Sequence, residues 1–429
     1  MERIPRVAIV GAGPAGLFAA GLLARADADV AIDILDRLPT PFGLLRYGVA
    51  PDHASIKAVA DKLADAFESP RVRFCGLVEI GTQVTPAELL GCYDAVVYAI
   101  GAALDRRLGI PGEELPGSRS AREFVSWYSG HPDAVAHELA HVTSAVVVGV
   151  GNVAVDVARI LLKDPAELHA TDMPDAVLAE LQATNVRDVW LVGRRGPADA
   201  AFSTAELREL LGLDGLGVVY ERGELPADTT GLDRRARNNV DAIAAALAEE
   251  RPSPLRRLHL LFQHRPVAIL GEGRVASVEF ESTVDGSRFE VPADLVLRSI
   301  GYYGVPLPGV PFVDGRIPNV EGRVHDVDGT LRPGEYAVGW IKRGPVGLIG
   351  ANKSDATETV RHLLEDLAVA PARPLGDPDE LLAARGVRPS TLDDWRRIDD
   401  AEIGRGTLRG RERTKIEAWH DLLDLVFGR

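Results

Sequence analysis

Residues 7–36, VAIVGAGPAGLFAAGLLARADADVAIDILD, limit what this chain can fold into more than any other stretch. Val7-Ala8-Ile9-Val10 is a short apolar run ending at a glycine turn, the pattern of a strand buried on both faces. Gly11, Gly13 and Gly16 follow in G-x-G-x-x-G spacing, then an Ala/Leu-rich helical segment, then a second apolar strand, Val30 to Leu35, closed by Asp36. Each piece has a mechanical task. Gly11 permits a tight turn, Gly13 lets a pyrophosphate approach the backbone, and Gly16 lets the helix pack close on the strand. The free N–H groups at the helix start face the phosphates. Asp36, twenty residues past Gly16, is placed to accept hydrogen bonds from a ribose diol. The glycine spacing alone is weak, because ordinary βα turns reuse it. Strand, turn, helix, strand and terminal acid together read as a dinucleotide site.

The pattern then repeats. Ala145-Val146-Val147-Val148 leads into Gly149, Gly151 and Ala154, a G-x-G-x-x-A turn, and Asn152 to Lys163 continues as a helix. The next strand, Val189-Trp190-Leu191-Val192, ends on Gly193-Arg194-Arg195-Gly196 instead of an acid. An acid would repel a ribose 2′-phosphate, whereas guanidinium groups fork onto it. The first site therefore suits a ribose diol and the second suits NADP. Between and after them, Tyr93 to Gly101 and Ser299-Ile300-Gly301 are further strands ending on glycine, and Val338 to Gly350 is a glycine-rich segment before a helix expected over residues 351–366. Helices are expected at 56–67, 204–211 and 234–250, a strand at 72–80, and two helical patches without a recognisable motif in the tail from Pro371. The expectation is an α/β protein with two Rossmann-like dinucleotide-binding domains, the NADP domain (105–330) inserted into an FAD domain built from 1–104 and 331–429.

Charge and cysteine usage narrow the chemistry. A net charge of −15 disfavours general binding to nucleic acid or to an acidic membrane. The two cysteines, Cys75 and Cys92, exclude a C-x-x-C redox pair, a cysteine-held iron–sulfur cluster and a disulfide scaffold. No charged-then-apolar leader precedes the first strand, and no run of about eighteen apolar residues occurs. A cytoplasmic protein without a membrane span is expected, and no metal site is indicated.

PFGLLRYGVAPDH (41–53), GNVAVDVARILL (151–162), VGRRGPADAAFSTAELREL (192–210) and VGWIKRGPVGLIGANK (338–353) resemble the adrenodoxin-reductase type of ferredoxin–NADP reductase over nearly the whole chain to about residue 366. The resemblance implies FAD held by the turn around Ala15, by Asp36, Leu44 and Val78, and by Trp340 with Gly347, Leu348 and Ile349. It implies NADP(H) held by Asn152, Val153 and Ala154, by Arg194 and Arg195, and by Glu206, with Gly347 near the nicotinamide. It also implies a His53–Glu209 pair near the flavin and nicotinamide. Asp36 stands where the family commonly has Glu. The implied activity carries electrons from NADPH by hydride transfer to FAD and then singly to a ferredoxin-type iron–sulfur protein. That protein must be separate, because this chain has no cysteines for a cluster. Arg234, Arg235 and Arg237 are candidates for docking it. Other readings of the double fold are a flavin monooxygenase, a reductase like the glutamate-synthase small subunit, and a non-catalytic NADP-binding redox sensor.

Overall fold

The strand Arg6–Val10 is buried from its second residue onward and sits inside a seven-stranded sheet. The computed structural model describes residues 4–26, 28–249, 254–347, 349–371 and 373–428. The sheet runs Asn319–Val320, Arg323–His325, Leu331–Ala337, Ala95–Tyr98, Arg6–Val10, Ala31–Leu35, Val72–Cys75. Its central ladders are parallel, with Val7 opposite Ile32 on one side and Ala95 on the other. Apolar runs at these positions follow from burial on both faces. One face is covered by the helices Pro14–Arg25 and Ala351–Val369 and by Trp395, Ile398, Leu422 and Val426 from the tail. The other packs against Val78, Leu89, Ile317, Val324 and Leu382.

The second sheet is six-stranded and wholly parallel: Ser118–Ser120, Leu295–Arg298, Ser144–Val148, Asp188–Gly193, Arg256–Phe262, Leu216–Tyr220. Helices including Asn152–Leu162 and Thr204–Leu211 cover one face. A three-stranded antiparallel sheet, His264–Leu270, Ser277–Ser282 and Arg288–Pro292, covers the other through Ile269, Val278 and Phe280. The chain leaves the first sheet after Ala95–Tyr98, completes the second, and returns to pair Leu331–Ala337 with Ala95–Tyr98, so one α/β unit is inserted in the other. Leu104–Asp105 and Tyr302–Tyr303 pair antiparallel as the outward and inward crossings.

Three expectations change. The return to the first unit comes at Tyr302–Tyr303, before residue 330: Asn319–Val320 and Arg323–His325 already pair in the first sheet, and Val310 and Ile317 join its core. The strand expected over 72–80 stops at Cys75, because Leu77 takes a positive φ of 60° and Gly76 exchanges backbone hydrogen bonds with Ser390 from the tail. Among its described residues the tail holds three helices, Pro378–Ala384, Leu392–Thr407 and Trp419–Phe427, instead of the two helical patches expected. No helix among the described residues is long and apolar enough to cross a membrane.

Candidate active site

The first glycine turn has the geometry its spacing implies. Gly11 has φ +109°, and a Cβ there would lie 2.6 Å from the Ala99 carbonyl oxygen. A Cβ on Gly16 would lie 2.0 Å from the Gly11 carbonyl oxygen, so only glycine lets the helix sit this close to the strand. Around Gly13, by contrast, a Cβ would meet only the Gly43 Cα, at 4.0 Å, which leaves the backbone approachable. Residues 41–48 fold over this turn: the Phe42 N–H donates to the Ala12 carbonyl at 2.8 Å, and Leu44 is exposed at the start of Leu44–Tyr47.

Asp36 closes the turn from the next strand. Its Oδ2 accepts from the Ala12 N–H at 2.7 Å and its Oδ1 from the Leu38 N–H at 2.9 Å. Each oxygen keeps a lone pair for a ribose hydroxyl. Burial raises its pKa above the usual carboxylate value, opposed by the two amides. Val78 is buried and donates its N–H to the Asp36 carbonyl at 2.9 Å. The far end of the chain lands on the same turn: a Cβ on Gly339 would lie 2.6 Å from the Ala15 Cβ, and the Gly339 N–H donates to Asp355. Trp340 follows, its ring stacked on Tyr302 at 6.3 Å and 14°. Gly347 has φ +88° and is exposed, and Ile349 packs on the first core. Leu348 lies outside the described residues.

In the second turn Gly151 precedes the helix Asn152–Leu162, and a Cβ on it would meet nothing within 4 Å. The Asn152 Oδ1 accepts from the Ser203 N–H at 2.7 Å, Val153 is half-buried, and Ala154 is fully buried in the helix–strand contact. Arg194 and Arg195 follow the end of Asp188–Gly193 and are exposed. Arg195 approaches Asp199 only to 3.8 Å, and Arg194 engages no acid among the described residues. The exposed Arg234, Arg235 and Arg237 begin a helix that packs on Pro197–Asp199, on the side of the arginine pair.

A charged cluster is drawn from both units. His53 is buried, with Nε2 2.9 Å from Glu206 Oε2 and 3.1 Å from Asp156 Oδ1. Glu209, its expected partner, stands 3.6 Å from Nδ1 and is half exposed, so the nearer acids are Glu206 and Asp156. The Glu206 carboxylate thus faces His53. Arg159, 1% exposed, holds Asp52 through two bonds of 2.8 and 3.0 Å and Asp156 at 2.8 Å, and its Nη2 lies 2.6 Å from His53 Nε2. Lys163 adds a 3.0 Å contact to Asp52. His53, Glu206 and Glu209 carry metal-ligating atoms close together, but the Arg159 guanidinium already supplies the positive charge there, which disfavours a metal cation. Asp52, Asp156, Arg159 and Lys163 escaped the sequence reading. The available signal was charge at residues 156, 159 and 163, helical spacing within an otherwise apolar segment.

Burial works against a charged His53, yet hydrogen bonds to Asp156 and Glu206 outweigh it and raise its pKa to about 10. A raised folded-state value contributes stability that is complete below the unfolded pKa near 6.5 and lost as pH rises through about 10. His53→Gln is therefore expected to flatten the fall in stability between pH 7 and 10, read from urea midpoints across that range. An unchanged slope would show that His53 is neutral in the folded protein.

The family described as pyridine nucleotide-disulphide oxidoreductase matches residues 5–189. NADPH-ferredoxin reductase FprA from Mycobacterium tuberculosis is 44% identical across 98% of this chain and 99% of its own length. The chain belongs to the NADPH-ferredoxin and NADPH:adrenodoxin reductase family. Human mitochondrial NADPH:adrenodoxin oxidoreductase is 39% identical over 99% of this chain and 92% of its own. The solved structure of M. tuberculosis FprA in complex with NADPH superposes with a TM-score of 0.92 at 43% identity, covering 99% of this chain and all of that one. Lactococcus lactis thioredoxin reductase, at 17% identity and a TM-score of 0.52, shares the fold alone. As a member of this reductase family the chain is a flavoprotein oxidoreductase using FAD and NADP(H), and its two open glycine turns, Asp36 and the exposed arginine pair fit those two cofactors.

Proposed function

We propose that this chain carries electrons from NADPH through FAD to a ferredoxin-type iron–sulfur protein. The observation that carries the reading is the presence of two unlike turns, one ending on Asp36 and the other on Arg194-Arg195, in units joined by a cluster in which Asp52 and His53 of one meet Asp156, Arg159 and Glu206 of the other. In this reading Gly11, Gly13, Ala15, Gly16, Asp36, Leu44, Val78, Trp340, Gly347, Leu348 and Ile349 hold FAD. Gly151, Asn152, Val153 and Ala154 receive the NADP pyrophosphate, and Arg194 and Arg195 take its 2′-phosphate. Bound FAD supplies the step from a two-electron hydride donor to a one-electron acceptor. The protein's own task is placement and the exclusion of water. Asp52, Arg159 and Lys163 lock the loop carrying His53 onto the helix that starts the NADP site, so the two cofactor sites keep a fixed separation. His53, Glu206 and Glu209 orient the nicotinamide and need not act as obligatory acid and base, since hydride transfer leaves no carbon-bound proton for a side chain to take. A cytoplasmic location is part of the reading.

The test is direct. The purified chain is expected to be yellow with non-covalent FAD, to bleach on anaerobic NADPH addition, and to regain colour when oxidised ferredoxin is supplied. A colourless protein that takes up no FAD on refolding removes the flavin reading. Bleaching that ferredoxin cannot reverse, but a small hydroxylatable substrate with oxygen can, would replace the reductase with a monooxygenase.

A further inference from the structure

A long side chain aims only as well as the backbone beneath it is held, and the backbone of Arg194 and Arg195 is held from the three-stranded sheet. Gly193 is the last residue of its strand and pairs with Phe262 in the ladder. Beyond that point the ladder no longer supports the chain. The Gln263 N–H donates to the Arg195 carbonyl at 3.0 Å, and the Thr283 N–H donates to the Gln263 carbonyl at 2.8 Å. The Thr283 hydroxyl lies 3.1 Å from the Arg194 carbonyl and 3.0 Å from the Gln263 carbonyl, so its single hydrogen serves either. Gln263 is the one residue joining Arg256–Phe262 of the large sheet to His264–Leu270 of the small one. It takes φ +58°, a left-handed conformation that side chains other than Gly, Asn and Asp seldom adopt. Thr283 is anchored in turn: the Ser282 Oγ accepts from the N–H groups of Val284 and Asp285, and the Ser282 N–H donates to the Ser287 carbonyl.

We propose that Thr283 is a specificity-positioning residue, its hydroxyl fixing with Gln263 the direction in which Arg194 and Arg195 leave the sheet toward the 2′-phosphate of NADPH. The proposal rests on the assignment of those arginines to that phosphate. It gives the three-stranded sheet a second task besides covering the large one: its hairpin braces the loop that tells NADPH from NADH.

The experiment compares Thr283→Val, Thr283→Ser and the Arg194→Ala/Arg195→Ala double variant in flavin reduction with NADPH and with NADH. Thr283 is exposed, and valine keeps its shape, so folding is not at stake. Loss of one hydrogen bond to a neutral carbonyl is expected to raise the KM for NADPH about three- to tenfold. The kcat and both NADH parameters should stay in place, and serine should restore the KM. If valine leaves the NADPH KM unchanged while the double arginine variant raises it, the brace is wrong and the arginine assignment stands. If valine weakens NADPH and NADH alike, Thr283 is merely structural and the proposal fails. If the double arginine variant itself keeps full NADPH preference, the phosphate assignment falls and the brace with it.

Discussion

Replacing both Arg194 and Arg195 with alanine is expected to bring NADPH and NADH close to parity. The two cofactors differ only in the 2′-phosphate, so discrimination must come from groups that touch it. In the structure both guanidiniums stand in solvent, with Asp199 only loosely beside Arg195 at 3.8 Å, so neither must break a strong ion pair to bind phosphate. A hydrogen bond to a charged group contributes roughly 1.5–3 kcal/mol, about ten- to hundredfold per arginine, and adjacent residues are not strictly additive. Each single variant should raise the KM for NADPH and leave NADH use nearly constant. Bound FAD should be unaffected, because Asp36 and the first glycine turn lie in the other unit. Retention of full NADPH preference by the double variant would return the arginines to the status of solvated surface charge.

The second large effect is expected from a residue in the tail. Arg46 belongs to the segment folded over the first glycine turn and is buried. Glu402, from the helix Leu392–Thr407, is fully buried and meets it with both oxygens, at 3.0 and 2.5 Å. Burial opposes the charge on Arg46, yet Glu402 more than compensates and raises its pKa above the usual guanidinium value. Glu402 also accepts from the Ile416 N–H at 2.9 Å. Close by, Lys415 donates to the carbonyls of Arg46 and Ser129 at 2.6 and 3.1 Å and faces Asp172 at 3.2 Å, tying the tail to both units. Removing one partner of a buried pair leaves an uncompensated charge and costs about 3–5 kcal/mol. Glu402→Ala should therefore lower the urea midpoint sharply and release FAD at lower denaturant than the parent, with Glu402→Gln between the two. A parent-like midpoint and FAD retention would mean that water reaches Arg46 and solvates it.

The two glycine turns were legible because everything they need is local. A strand, a turn that only glycine can make, a helix start and a second strand occupy residues 7–36 in the first unit and 144–193 in the second, and the physics that shapes each piece acts between neighbours. The difference between the two turns, Asp36 after one and Arg194-Arg195 after the other, was legible for the same reason, since each lies at the end of the strand after its turn. The expected His53–Glu209 pair is present at 3.6 Å, but Glu206 and Asp156 stand nearer the imidazole, at 2.9 and 3.1 Å. Glu206 and Glu209 share a helix face, and only the packing of that helix against 52–53 decides which one reaches the imidazole. Arg159 and Asp52 are 107 residues apart, and no periodicity in either segment reveals that they meet.

The return crossing and the tail were hidden for a related reason. Residues 319–325 carry too few apolar positions to announce a strand, and they become strands by pairing beside Leu331–Ala337. Glu402 and Lys415 sit in a charged stretch that reads as solvated surface, and their burial follows from partners as far as 369 residues away. By itself, then, the sequence determined the two dinucleotide folds, because backbone sterics and the alternation of apolar runs act between neighbours. Tertiary structure alone decided which charges are buried, which acid faces His53, and how the tail fastens the two units, because a charge can leave water only where distant segments bring its partner to it.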